Sequence, residues 1–154
     1  MDRRCSRREF LQVGGLIAVL PLSGCTLFQA DGIVLGDILV RNGYENRHRV
    51  RVELSREREL LLEETVVVDA KETEQLEATW PPTPGKYSLR YAVSGPDVNL
   101  DIEAKTITAA DKYDPNQTCA IPAITLLPNK PPYVAVGNAA RMGVSCSKTE
   151  SSSS

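Results

Sequence analysis

Lys86-Tyr87-Ser88-Leu89-Arg90-Tyr91-Ala92-Val93-Ser94, a break at Gly95-Pro96-Asp97, and Val98-Asn99-Leu100-Asp101-Ile102-Glu103-Ala104-Lys105 decide the fold. Tyr87, Leu89, Tyr91 and Val93 alternate with Lys86, Ser88 and Arg90; Val98, Leu100, Ile102 and Ala104 alternate with Asn99, Asp101, Glu103 and Lys105. An extended strand sends successive side chains to opposite faces, so each run predicts a half-buried β-strand with its apolar row inward. The break between them has the residues of a tight turn.

Working outward, the same period recurs and helical periodicity is nearly absent between residues 31 and 137. Val50, Val52 and Leu54 alternate with Arg49, Arg51 and Glu53. Turn chemistry falls at Asn42-Gly43, Ser55 to Arg58, Asp69 to Lys71 and Pro81 to Gly85. Six strands are expected at about 33–42, 47–55, 59–68, 73–80, 86–94 and 97–108. Short connections predict an all-β, antiparallel sandwich over 33–110. The runs Leu60-Leu61-Leu62 and Val66-Val67-Val68 alternate least and read as a strand buried on both faces.

Pro84-Gly85-Lys86-Tyr87 ahead of an alternating strand resembles the lead-in to the sixth strand of immunoglobulin-like sandwiches. The resemblance implies that Tyr87 is a tyrosine corner, its hydroxyl bonding back to the preceding loop. The alternative is a plain core aromatic. Trp80, the one tryptophan, reads as core rather than as part of a ligand groove.

After Ala110 the character changes. Pro115, Pro122, Pro128, Pro131 and Pro132 crowd a segment with apolar stretches at 120–127 and 133–136. A proline-rich C-terminal extension over 111–147 is expected, with two short edge strands, where missing N–H donors do least harm. Residues 148–154 read as a disordered tail.

The N-terminus has the grammar of an export signal. Arg3, Arg4, Arg7 and Arg8 precede an apolar stretch of about ten residues and then Ser23-Gly24-Cys25. Roughly 15 Å of helix is half of what a bilayer core demands, so a spanning helix is disfavoured. Ser6-Arg7-Arg8-Glu9-Phe10-Leu11-Gln12 resembles the twin-arginine signal, with Gln12 where the family pattern has Lys. Leu22-Ser23-Gly24-Cys25 resembles a lipobox, which implies cleavage after residue 24 and lipidation of Cys25. Together they resemble the twin-arginine-exported surface lipoproteins of salt-loving archaea. The expected organisation is a signal at 1–24, a lipidated linker at 25–32, and then the sandwich. Two acyl chains anchor stably where one binds reversibly.

Of four cysteines, Cys5 leaves with the signal and Cys25 takes lipid, which leaves Cys119 and Cys146. An even pair in an exported domain predicts a disulfide, here a staple that pins the late-docking extension onto a sandwich that folds without it.

Composition excludes more than it identifies. The chain has 154 residues, 25% of them charged, and a formal charge of −2. Loss of residues 1–24, with four Arg against Asp2 and Glu9, makes this about −4. A nucleic-acid binder normally shows a basic face instead. His48 lies between Arg47 and Arg49, no Gly-x-Ser-x-Gly elbow occurs, and a serine-hydrolase site has no support. A cupredoxin-like centre would have to draw on His48, Cys119 and Met142. Asp111, Asp114 and Asn116 lack the EF-hand pattern and read as a solvated loop. Asn116-Gln117-Thr118 has the form of a glycosylation acceptor. Arg41, Arg47, Arg49, Arg51, Arg56 and Arg58 have Glu53, Glu57, Glu59, Glu63 and Glu64 among them and read as a self-neutralised sheet face.

The expectation is a non-enzymatic lipoprotein on the extracytoplasmic face of the cell membrane. It needs no cofactor or metal and acts as a structural or interaction module with a protein or glycan partner. Two alternatives stay open: a ligand-binding accessory lipoprotein of an envelope or transport complex, and a cupredoxin-like redox or metal carrier.

Overall fold

The structure, a computed structural model, describes residues 32–111, 119–142 and Cys146. Eight strands follow in order: β1 (Ile38–Asn42), β2 (His48–Arg56), β3 (Glu59–Val68), β4 (Thr73–Leu76), β5 (Tyr87–Ser94), β6 (Leu100–Ile107), β7 (Ala120–Leu127) and β8 (Lys130–Asn138). A short helix, α1 (Ala139–Met142), comes last. They form two four-stranded sheets, ordered β4-β1-β7-β8 and β3-β2-β5-β6, packed into an all-β sandwich.

On β2 and β5 the alternating rows fall where the period places them, but on β6 they do not. The β5–β6 register shifts between Tyr91 and Val93, and Ile102 (45% exposed) and Ala104, expected inward, lie exposed while Ile107 is buried. Val50, Val52 and Leu54 on β2 and Tyr87, Leu89, Tyr91 and Val93 on β5 face the core, together with Ile38, Val40, Ile124 and Leu126 from the other sheet. The register Val50↔Val93, Val52↔Tyr91, Leu54↔Leu89 stacks apolar residues across the β2–β5 pair, so the inward row is continuous. Trp80 is buried at 7% exposure, and its Nε1–H donates to the Leu35 carbonyl oxygen at 3.1 Å. The large ring is packed and its polar tip satisfied, as the core reading requires.

Four further expectations are corrected. The 120–127 stretch is not an edge strand outside the sandwich: β7 lies between β1 and β8, buried from Ala120 to Leu126. Residues 119–138 therefore complete the sandwich, and the boundary near 110 does not divide a finished fold from an appendage. The sandwich is not wholly antiparallel either, since β1 and β7 pair in parallel, Leu39↔Ala123 through Asn42↔Leu126. The strand expected to be buried on both faces, β3, is instead the edge of its sheet, with Leu60 55% and Val67 44% exposed. Finally, β1 begins at Ile38 rather than 33; Ile33 and Leu35 contribute only isolated bridges, to Gly85 and Ala120.

Pro122 survives inside β7 because of that entry. Leu35 bridges Ala120, and the ladder resumes at Leu39↔Ala123, so four steps on one side meet three on the other. Pro122 falls in this mismatch, where a missing N–H costs no ladder bond to β1.

The outer surface of β7 is covered by the chain's own C-terminal arm. Leu39, Cys119, Ile121 and Ala123 form a second apolar cluster with Val34, Ala139, Met142 and Cys146. Cys119 and Cys146 are bonded, with Cα atoms 5.6 Å apart, inside the range a disulfide demands. Gly36 lies beneath this arm. A Cβ there would sit 2.6 Å from Ile121 Cδ1 and 3.2 Å from Cys119 Sγ, so a larger residue would have to displace the Ile121 side chain beside the disulfide.

Candidate functional site

The export and lipidation residues Arg7, Arg8, Phe10, Leu11, Leu22, Ser23, Gly24 and Cys25 lie outside the described residues, as does Asn116. Of the residues singled out from sequence, Cys119 and Cys146 are joined as expected. The cupredoxin-like set does not come together. Cys119 is committed to its disulfide at the start of β7, while His48 opens β2 at the far end of the sandwich, among Tyr44, Asn46 and Asp97. Met142 packs on the second cluster and accepts a hydrogen bond from Arg41 Nη2 at 3.2 Å. No group of three potential metal ligands occurs among the described residues. In the acidic loop, Asp111 accepts from the Thr108 N–H at 2.8 Å and pairs with Lys105; Asp114 lies outside the described residues.

At the His48 end the loops after β1, β3 and β5 meet. Asn42, 3% exposed, donates through Nδ2 to the carbonyl oxygens of Asn46, Val68 and Asp69, and its Oδ1 accepts from the Tyr44 N–H. One side chain thus closes two loops. His48 is 1% exposed, with Nδ1 2.9 Å from the Asn46 carbonyl oxygen and Nε2 3.5 Å from Asp97 Oδ2. Gly95 packs directly against the His48 ring, leaving no room for a Cβ. The arrangement is that of a structural plug. Its signal was readable, because His48 shares the inward parity of Val50 and Val52.

The open surface is the outer face of β3-β2-β5-β6. Arg51 bonds Glu63 at 2.6 Å and Glu53 at 3.0 Å, and Arg90 bonds Glu53 at 2.9 Å. These exposed pairs contribute little stability, but they neutralise the middle of the face. Two hollows flank it. One, about 400 Å³, is lined by Arg49, Arg51, Thr65, Ser94, Asn99 and Ile102. The other, about 410 Å³, is lined by Glu57, Arg58, Lys86, Tyr87, Ser88 and Thr106. On this face Arg49, Arg58 and Lys86 have no ion-pair partner among the described residues, and these three cations line the hollows. Sequence alone does not mark the second hollow, since Arg58 and Lys86 are joined only by the β2–β5 pairing and by the Glu57 N–H bond to the Lys86 carbonyl oxygen.

Two tyrosines support this face from within. Tyr87 is fully buried and its hydroxyl donates to the Thr83 carbonyl oxygen at 2.6 Å. Burial pushes its phenol above the ordinary range, with the Arg56 guanidinium working the other way. Tyr91 is raised by burial and then by the Glu103 carboxylate.

No protein-family model, no curated protein and no solved structure matches this chain, so its function is argued from its own residues.

Proposed function

We propose that the protein is exported and lipid-anchored through Cys25, and serves as a non-enzymatic structural or interaction module on the outer side of the cell membrane. The observation that carries this reading is the Cys119–Cys146 disulfide. Such bonds persist in oxidising surroundings, and the two remaining cysteines both fall in the N-terminal segment that resembles a signal and lipobox. The neutralised outer sheet face supports a role as a scaffold for contact. Immunoglobulin-like kinship is supported by topology: β3-β2-β5-β6 follows the C′-C-F-G order and β4-β1 the E-B order, with β7 beside β1 where strand A would lie. The Tyr87 to Thr83 bond has the form of a tyrosine corner. A second reading, a ligand-binding accessory lipoprotein, is favoured by the hollow at Arg49 and Arg51.

Phase partitioning tests the anchor. Protein from its own membrane should enter the detergent phase, and Cys25→Ser should shift it to the aqueous phase while circular dichroism stays that of a β-sandwich. A Cys25→Ser protein that remains membrane-bound after carbonate washing sinks the lipid anchor.

A further inference from the structure

We propose that the hollow lined by Arg58, Lys86, Ser88 and Thr106 binds the phosphate of an anionic lipid headgroup, fixing how the sandwich stands on the membrane. The proposal rests on the Cys25 anchor for its geometry. The sandwich begins at Ile33, whose N–H and carbonyl both bond Gly85 at 3.1 Å, and Lys86 is the next residue. Pocket and chain entry therefore share one end of the fold. Eight residue steps separate Cys25 from Ile33, at most roughly 28 Å when fully extended. A lipid on Cys25 thus keeps this end, and not the His48 end, within reach of the headgroups.

The chemistry of the lining fits a phosphate oxygen cluster. Arg58 and Lys86 are exposed cations without a carboxylate partner among the described residues. Ser88 and Thr106 lie opposite each other across the β5–β6 pair, and neither hydroxyl makes a hydrogen bond among the described residues. Two donors of charge and two of hydrogen bonds thus line one hollow of about 410 Å³. Glu57 also lines it and opposes an anion. Its backbone is left-handed, φ 56°, and its N–H is tied to the Lys86 carbonyl, so the turn that carries it is fixed to the start of β5. The local balance remains one positive charge on a mature chain of about −4, and the remaining surface is repelled by an anionic bilayer.

The test uses the Cys25→Ser protein, so that anchoring plays no part, and follows backbone amide shifts on titration with short-chain phosphatidylglycerol below its micelle concentration. Saturable shifts are expected at Glu57, Arg58, Lys86, Ser88 and Thr106, with none at Arg49. Replacing Arg58 and Lys86 together by Gln should weaken binding about 25-fold, near fivefold per cation at an anionic surface. Glu57→Gln should strengthen it. Equal shifts with phosphatidylcholine, shifts centred on Arg49 and Arg51, or a Glu57→Gln variant that binds more weakly would each overturn the assignment. So would inorganic phosphate binding as tightly as the lipid, which would mark a free-anion site. Failure of the anchor instead shows in phase partitioning of the unmutated protein and leaves this titration unchanged.

Discussion

Cys146 is tied to Cys119 at the point where β7 enters the middle of its sheet, so the disulfide holds the C-terminal arm against the outer surface of that strand. The arm is what buries Leu39, Ile121 and Ala123 from the outside. A bond expected to pin an appendage thus clamps a layer onto a strand that the core needs.

The sequence separation of 27 closes a loop worth about 3.5 kcal/mol in the chain-entropy treatment. Replacing both cysteines by serine should lower global stability by an amount of that order. Amide exchange should accelerate in β1 and β7 as well as in the arm, because the parallel β1–β7 ladder is shared. If exchange rose only beyond residue 130, with β1 and β7 unchanged, the arm would be energetically separate from the sandwich.

Asn42→Ala should cost about 2–3 kcal/mol in urea unfolding, because three loop carbonyls and the Tyr44 N–H lose their partner together. Asn42→Asp is the sharper variant. It keeps the acceptor for Tyr44 but sets a carboxylate against three carbonyl oxygens, and should destabilise at least as much at neutral pH. Two variants within 0.5 kcal/mol of the parent would show that water replaces the amide at no cost.

Where burial is one-sided, the fold was legible. β2 and β5 carry one row to the core and one to solvent, and the period of two survives in their burial. β6 has the period in its residues but not in its burial, since the β5–β6 register shifts between Tyr91 and Val93 and leaves Ile102 and Ala104 exposed. β7 carries no such period: the opposite sheet covers one face and the arm the other, so Ala120 to Leu126 are all buried. Its proline then reads as an edge signal, although a bulge accommodates it. β3 errs the opposite way, since its apolar runs imitate a doubly buried strand while Glu63 and Glu64 mark an exposed edge. The Cys119–Cys146 pair followed from counting, whereas the Arg58–Lys86 hollow depends on strand register.

Export should depend on the paired arginines. Replacing Arg7 and Arg8 by Lys should leave an uncleaved precursor in the cytoplasm, detected by immunoblot as a band larger than the membrane form. The resemblance implies folding before export, in a reducing compartment. The retained precursor should therefore resist limited proteolysis within 33–111 and 119–138 while its Cys119 and Cys146 remain open to alkylation after unfolding. Normal membrane delivery of the Lys-Lys variant would leave only a general secretion signal.

Tyr87→Phe should cost about 1 kcal/mol at neutral pH, the worth of one hydrogen bond, here that to the Thr83 carbonyl. The larger effect lies at alkaline pH. Burial raises the Tyr87 phenol above its ordinary value near 10, so between the unfolded and folded values the native state holds a proton that the unfolded chain has lost. Stability from this group is complete below the ordinary tyrosine range and falls as pH rises through the folded value. Tyr91, raised by burial and by Glu103, adds a loss of the same sign. Denaturant midpoints of the parent should therefore drop steeply above about pH 10, a slope that Tyr87→Phe reduces and Tyr87→Phe with Tyr91→Phe reduces further. Since phenylalanine does not titrate, the gap between parent and Tyr87→Phe should narrow as pH climbs and then reverse. A parent and variant that decline in parallel to pH 12 would mean that the phenol ionises only after the sandwich has opened for other reasons.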